Sequence, residues 1–256
     1  MVSGNVIILR KGGKMLKTKK RFTTRVLVAC GLLASISIVL TRVFSYTIPL
    51  AGLPALRIGF GDIPVIISGI LFGPIAGGLT GGVSDTLGFM LNPMGGPYIP
   101  GLTITAILRG VIPGLIYWLI QSKNIKFNFH IANIAFSILL TIGILFVFMS
   151  QDAELPKMLM MLYCVIALAF IMLPVVLGRI IKTEDSLYSF DKILFVVTVA
   201  YFILSLGLNT FFLAITYEKG FLAFLPGRIL AGFVIIPLHS IMIFVLSRWF
   251  KYIKIS

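Results

Sequence analysis

The residues with the most chemistry to offer are arginines set at the ends of apolar runs or inside them. Arg42 closes the first apolar run, Arg57 follows in a loop, Arg109 lies about two turns into a later run, and Arg228 opens the last one after Pro226-Gly227. A guanidinium grips a carboxylate through two parallel N–H bonds, so arginines gathered at one end of a bundle suit an anionic solute. Arg42, Arg57 and Arg228 also have a plainer reading, as side chains that reach toward lipid headgroups. Asp85 is the one carboxylate deep within an apolar run. Charges inside a bilayer are costly and by default mark function. Asp85 and Arg109 fall at similar depth and either pair structurally or form the polar floor of a pocket. Asn209, beside Thr210, adds amide and hydroxyl groups suited to a heterocycle or to an interhelical hydrogen bond. Phe89, Tyr98, Phe211 and Phe212 offer aromatic walls for a flat ring, although 21 Phe and 8 Tyr make no single one diagnostic.

Catalysis finds little support. Cys30, Cys164, His130 and His239 are scattered, with no metal-ligand spacing, so neither a metal site nor a disulfide framework is expected. No P-loop, HExxH or GxSxG stands in the chain. The reading is a binding or transport protein with no catalytic residues and no cofactor.

These side chains must be positioned by membrane helices. Of 256 residues, 59% are hydrophobic and 12% charged, half the charged share of a soluble domain. Eight helices are expected, at 25–46, 62–74, 75–92, 102–120, 131–149, 157–181, 191–217 and 226–250, with a loop over 47–61. The 30-residue block from Asp62 to Leu91 reads as two short helices meeting at Gly73-Pro74, where glycine permits the turn and proline lacks a donor. An even number of spans leaves both termini on one side. Lys and Arg accumulate there, in the tail and at Lys123, Lys126, Lys182, Lys192, Arg248, Lys251 and Lys254, which marks that side as cytoplasmic.

The net charge of +14 is concentrated in the first 25 residues, which hold eight basic and no acidic side chains. A basic run before an apolar helix reads as an anchor on anionic lipid, not as a nucleic-acid site. The chain therefore divides into a basic cytoplasmic tail, 1–24, and one transmembrane domain, 25–256. The first helix is expected to be retained, because Thr41-Arg42 follows it instead of a small-residue cleavage site.

Gly69, Gly73, Gly77 and Gly81 recur every four residues, with Gly78 and Gly82 beside them. Such spacing lets helix backbones approach closely, either inside the bundle or against a partner protein. Gly31 and Ser35 form a second pair on the first helix, with Cys30 and Ala34 in the neighbouring register.

The segments LRIGFGDIPVIISGILFGPIAGGLTGGVSDTLGFML (56–91) and GGPYIPGLTITAILRG (95–110) resemble the folate-type S component of energy-coupling factor (ECF) transporters. SISIVLTRVFS (35–45) is similar to the end of that family's first helix, and LGLNTFFL (206–213) and LPGRILAGFVIIPLH (225–239) to its last two. The resemblance covers about 25–122 and 195–250. It implies an all-α integral membrane protein, a six-helix bundle to which residues 124–190 add two further spans, about eight in total. It implies a plasma-membrane subunit that captures folate or a related anionic vitamin from outside. It then docks on a membrane coupling subunit driven by two ATPases, and topples to release the vitamin inside. It places the docking contact at Gly31 and Ser35, and ligand contacts at Arg42 and Arg109, with Asn209 and Arg228. Folate matches the residue chemistry, with a flat pterin for aromatic walls and two carboxylates for arginines. A stand-alone secondary transporter of a small organic anion is the alternative, weakened by the single deep carboxylate.

Overall fold

The computed structural model describes residues 6–11, 14–19, 24–50, 53–93, 97–123, 128–150, 172 and 189–252. A hairpin of β1 (Val6–Lys11) and β2 (Lys14–Lys19) lies within the basic tail. Helix α1 (Thr24–Arg42) follows. The expected loop is instead a second antiparallel hairpin, β3 (Tyr46–Leu50) and β4 (Leu53–Ile58), with a register shift between Ile48 and Pro49. Proline cannot donate to a ladder but is tolerated at edges and irregularities, so Pro49 and Pro54 permit a two-stranded ribbon that composition alone makes look like coil.

Helices α2 (Asp62–Phe72) and α3 (Pro74–Leu91) meet at Gly73, as the glycine-proline pair implies. Gly73 has φ 98°, a left-handed conformation open to glycine at no steric cost. Helix α4 (Pro100–Lys123) and α5 (Phe129–Ser150) follow. The expected helix over 157–181 lies outside the described residues.

The expected single helix over 191–217 is a rod in three parts. It comprises α6 (Phe190–Tyr201), a π-helical segment (Phe202–Asn209) and α7 (Thr210–Thr216). The last helix, α8 (Phe221–Tyr252), begins five residues before the expected start and carries Pro226 and Pro237 inside it. Among the described residues, four stretches are long and apolar enough to cross a membrane: Thr24–Arg42, Pro100–Ser122, Phe190–Thr216 and Phe221–Ser247.

Two kinds of packing hold the bundle. α2, α3 and α4 meet through glycines. A Cβ built on Gly110 would come within 2.0 Å of the Gly77 carbonyl oxygen, one on Gly69 within 2.2 Å of the Gly110 oxygen, and one on Gly81 within 2.1 Å of the Ala106 oxygen. The glycine run thus serves contact inside the bundle, and the reading of it as an outward docking face is set aside. α2, α6 and α8 share a conventional core around Ile63, Ile67, Phe190, Ile193, Ile236 and Ile243. The hairpin β3–β4 closes one end of this core through Ile48, Leu56 and Ile58.

Candidate functional site

At the hairpin end the chain has to bring together the C-termini of α1, α3 and α7 and the N-termini of α2, α4 and α8, because successive helices reverse direction. A cavity of about 250 Å³ opens there. Arg42, Asp85, Phe89, Tyr98, Arg109, Asn209 and Arg228 all line it. So do Arg57, Asp62, Thr105, Ser205 and His239. Among the lining residues four arginines face two aspartates, a surplus of two positive charges.

Arg109 donates through Nη1 to Asp62 Oδ1 at 2.6 Å. The sequence reading offered Asp85 as its partner; the structure assigns that place to Asp62. The reason is local. Asp62 is the first residue of α2, where a carboxylate is favoured by the positive end of the helix dipole, and α2 packs directly on α4. Asp85 has a different partner, Thr103, whose Oγ1 lies 2.7 Å from Asp85 Oδ2 and 2.8 Å from the Tyr98 hydroxyl. Thr103 has one hydroxyl proton, which serves the carboxylate, and it accepts the proton of the phenol. This chain fixes Tyr98 against Phe89, their rings 5.0 Å apart and inclined by 57°.

Arg42 donates through Nη1 to the carbonyl of Asn92 at 2.8 Å, the residue that caps the C-terminus of α3. A cation is favoured there by the helix dipole. Gly88 makes the seat: a Cβ at that position would lie 2.9 Å from Arg42 Nε. Arg57, on β4, has its pKa lowered by partial desolvation and by the neighbouring Arg42, with Asp62 and Asp85 pulling it upward. Guanidinium titrates far above physiological pH, so the charge persists.

One turn before Arg109 on α4, Thr105 Oγ1 lies 2.5 Å from Asn209 Oδ1. Arg228 is 4% exposed and donates to the carbonyl of Ser205. His239, also buried, places Nε2 2.9 Å from the Gly59 carbonyl, which ties α8 to the base of the hairpin. Asp62, Thr103, Thr105, Ser205 and His239 escaped the sequence reading. Only Asp62 carried a visible signal, a carboxylate opening an apolar helix, and capping explains that equally well.

Gly31 and Ser35 lie elsewhere, on the exposed face of α1. Among the described residues no atom comes within 4 Å of a Cβ built on Gly31, and Leu27, Val28, Leu32 and Ile36 around it are exposed. Cys30 and Ala34, in the neighbouring register, are buried against the bundle, with Cys30 Sγ 3.8 Å from Ser68 Oγ.

A helical membrane bundle enclosing an arginine-rich cavity at the end of its helices defines a class of solute-handling membrane protein. The family model of the ECF-type riboflavin transporter, S component, matches residues 21–184, more than half of the chain, and the chain belongs to that family. The folate transporter FolT of Clostridium novyi (strain NT) is 40% identical over 93 residues, which cover 36% of this chain and 51% of that protein. The chain thus matches about half the length of this curated relative. Among solved structures, the crystal structure of FolT bound with folic acid is similar with a TM-score of 0.55 at 19% identity, over 92% of this chain and 96% of that one. That likeness is one of fold.

Proposed function

We propose that this S component captures folate, or a closely related dicarboxylate vitamin, from outside the cell, and works with a membrane coupling subunit and two ATPases. The observation that carries the reading is the cavity's surplus of two positive charges beside an aromatic pair. Riboflavin, which the family's description names, is a flat heterocycle bearing no carboxylate, and it leaves that surplus unmatched. Folate has an aromatic pterin and two carboxylates. The 40% identity to FolT supports the same choice.

In this reading Arg42 and Arg109 take the carboxylates. Phe89 and Tyr98 flank the ring, and Asp85 acts through Thr103 to fix Tyr98. Asn209 supplies hydrogen bonds to the heterocycle. Both termini lie in the cytoplasm, and the cavity faces outward. Titration of the purified chain in mild detergent is expected to give saturable folate binding that a tenfold excess of riboflavin does not displace. Riboflavin binding in preference to folate would sink the assignment.

The exposed notch at Gly31 and Ser35 supports docking of the coupling subunit on α1. Gly31→Trp is expected to abolish ATP-driven uptake in proteoliposomes holding the whole transporter, with folate affinity unchanged. The new side chain grows into space that none of the described residues occupies within 4 Å of the added carbon. Normal uptake by that variant would remove α1 from the docking surface.

A further inference from the structure

The rod opposite α4 widens to π geometry over eight residues, Phe202–Asn209. Such segments are uncommon and tend to occur at functional sites, and one this long needs outside support. The supports are visible. At its leading edge Tyr201 donates its phenol to the Arg228 carbonyl at 2.6 Å. Its ring lies on Gly232, where a Cβ would come within 2.9 Å of Tyr201 Cε1. Within the segment, Arg228 Nη1 donates to the Ser205 carbonyl at 3.1 Å and lies 3.3 Å from Ser205 Oγ. The Thr210 hydroxyl donates to the same carbonyl at 3.0 Å, five residues back, the spacing that π register aligns. On the far side, Thr105 holds one end of the Asn209 amide.

This register puts Leu204, Ser205 and Asn209 in the cavity wall. Relaxation to α geometry would rotate the later residues about the rod axis and take Asn209 away from Thr105. We infer that Arg228 is a positioning residue: with Tyr201 it holds the Phe202–Asn209 turn open, and that turn presents Asn209 to the uncharged heterocyclic part of the ligand. Its guanidinium acts on the protein's own backbone, and the carboxylates are left to Arg42 and Arg109. The identity of the ligand rests on the functional reading above; the backbone role does not.

Hydrogen exchange followed by mass spectrometry, on the ligand-free full chain in detergent, tests the backbone role. Exchange over 202–210 is expected to rise by about tenfold in Arg228→Met and in Tyr201→Phe, and to stay near wild type in Arg228→Lys. Tyr201→Phe changes no charge and removes one oxygen, so it decides alone if Arg228→Met does not fold. Unchanged exchange in the variants that fold overturns the inference. Titration with folate and with 6-methylpterin, which has no carboxylate, tests the ligand role. Arg228→Met is expected to weaken both by a similar factor, about tenfold, and to be non-additive with Asn209→Ala. A loss confined to folate would make Arg228 a carboxylate clamp and overturn the inference. Failure of the wild-type chain to bind either probe would refute the functional reading, while the exchange result would still decide the role of Arg228.

Discussion

Arg109→Ala is expected to weaken folate binding by at least about tenfold, or ~1.4 kcal/mol, in a protein that remains folded. The argument begins with the pair that Arg109 forms. Its Nη1 is committed to Asp62 at 2.6 Å, with both side chains partly exposed to the cavity. A guanidinium has five N–H donors in a planar fork, so one such bond leaves the group able to bind an anion while Asp62 fixes its position. Alanine does two things at once. It removes a donor fork, and it leaves the Asp62 carboxylate facing the same space as the ligand's carboxylates with its cation gone. The surplus of positive charge falls from two to one. Adding Asp62→Asn to the alanine variant restores the surplus and is expected to recover part of the affinity, whereas Asp62→Asn alone loosens the seat of Arg109. Affinity equal to wild type in Arg109→Ala would take that residue out of the site.

The same residues show what a chain of amino acids discloses and what it withholds. Arg42, Asp85, Arg109, Asn209 and Arg228 stand out before any folding because polar groups are expensive inside apolar runs. Alternating helix direction then puts their levels at one end of the bundle, which is where they line a single cavity. The turn at Gly73-Pro74 is equally local, since glycine and proline act on their own dihedrals. What resisted reading is whatever depends on a neighbour distant in the chain. Asp62 has a sufficient local explanation as the start of α2, so its partnership with Arg109, 47 residues away, leaves no trace in spacing. The ribbon of β3 and β4 contains two prolines and passes for coil until its strands are seen paired. The π segment is held largely by α8 and α4, through Arg228, whose carbonyl also takes the Tyr201 phenol, and through Thr105, and its own eight residues read as ordinary helix. Glycine spacing announced close packing without naming the surface packed, and the contacts of Gly69 and Gly77 with Gly110 and of Gly81 with Ala106 assign it to the interior.

That contact carries the second large effect. Gly110→Ala, a change of one methyl group, is expected to abolish accumulation of folded protein, seen as loss of the monodisperse peak in detergent and of a cooperative thermal transition. In most helices the same exchange helps, because alanine is favoured over glycine by about 1 kcal/mol in a helix interior. Here the added carbon would lie 2.0 Å from the Gly77 carbonyl oxygen and 2.1 Å from its carbon. Both are main-chain atoms, so no rotamer change can relieve the clash; α3 and α4 must move apart. Separation is not confined to one pair, because Gly69 also rests on Gly110 and Gly114 on Gly69, so all three helices of this half of the bundle must shift. Overpacking against mobile side chains costs about 1–3 kcal/mol, and against fixed backbone at three linked contacts the cost lies above that range. The cavity would suffer too, since Arg109 sits one residue before Gly110 and its partner Asp62 lies on α2. Gly31→Ala is the matched control. It makes the same exchange within a helix, but none of the described residues lies within 4 Å of the new carbon, so the thermal midpoint is expected to stay level or rise. A folded, folate-binding Gly110→Ala protein would show that α3 and α4 do not pack backbone to backbone.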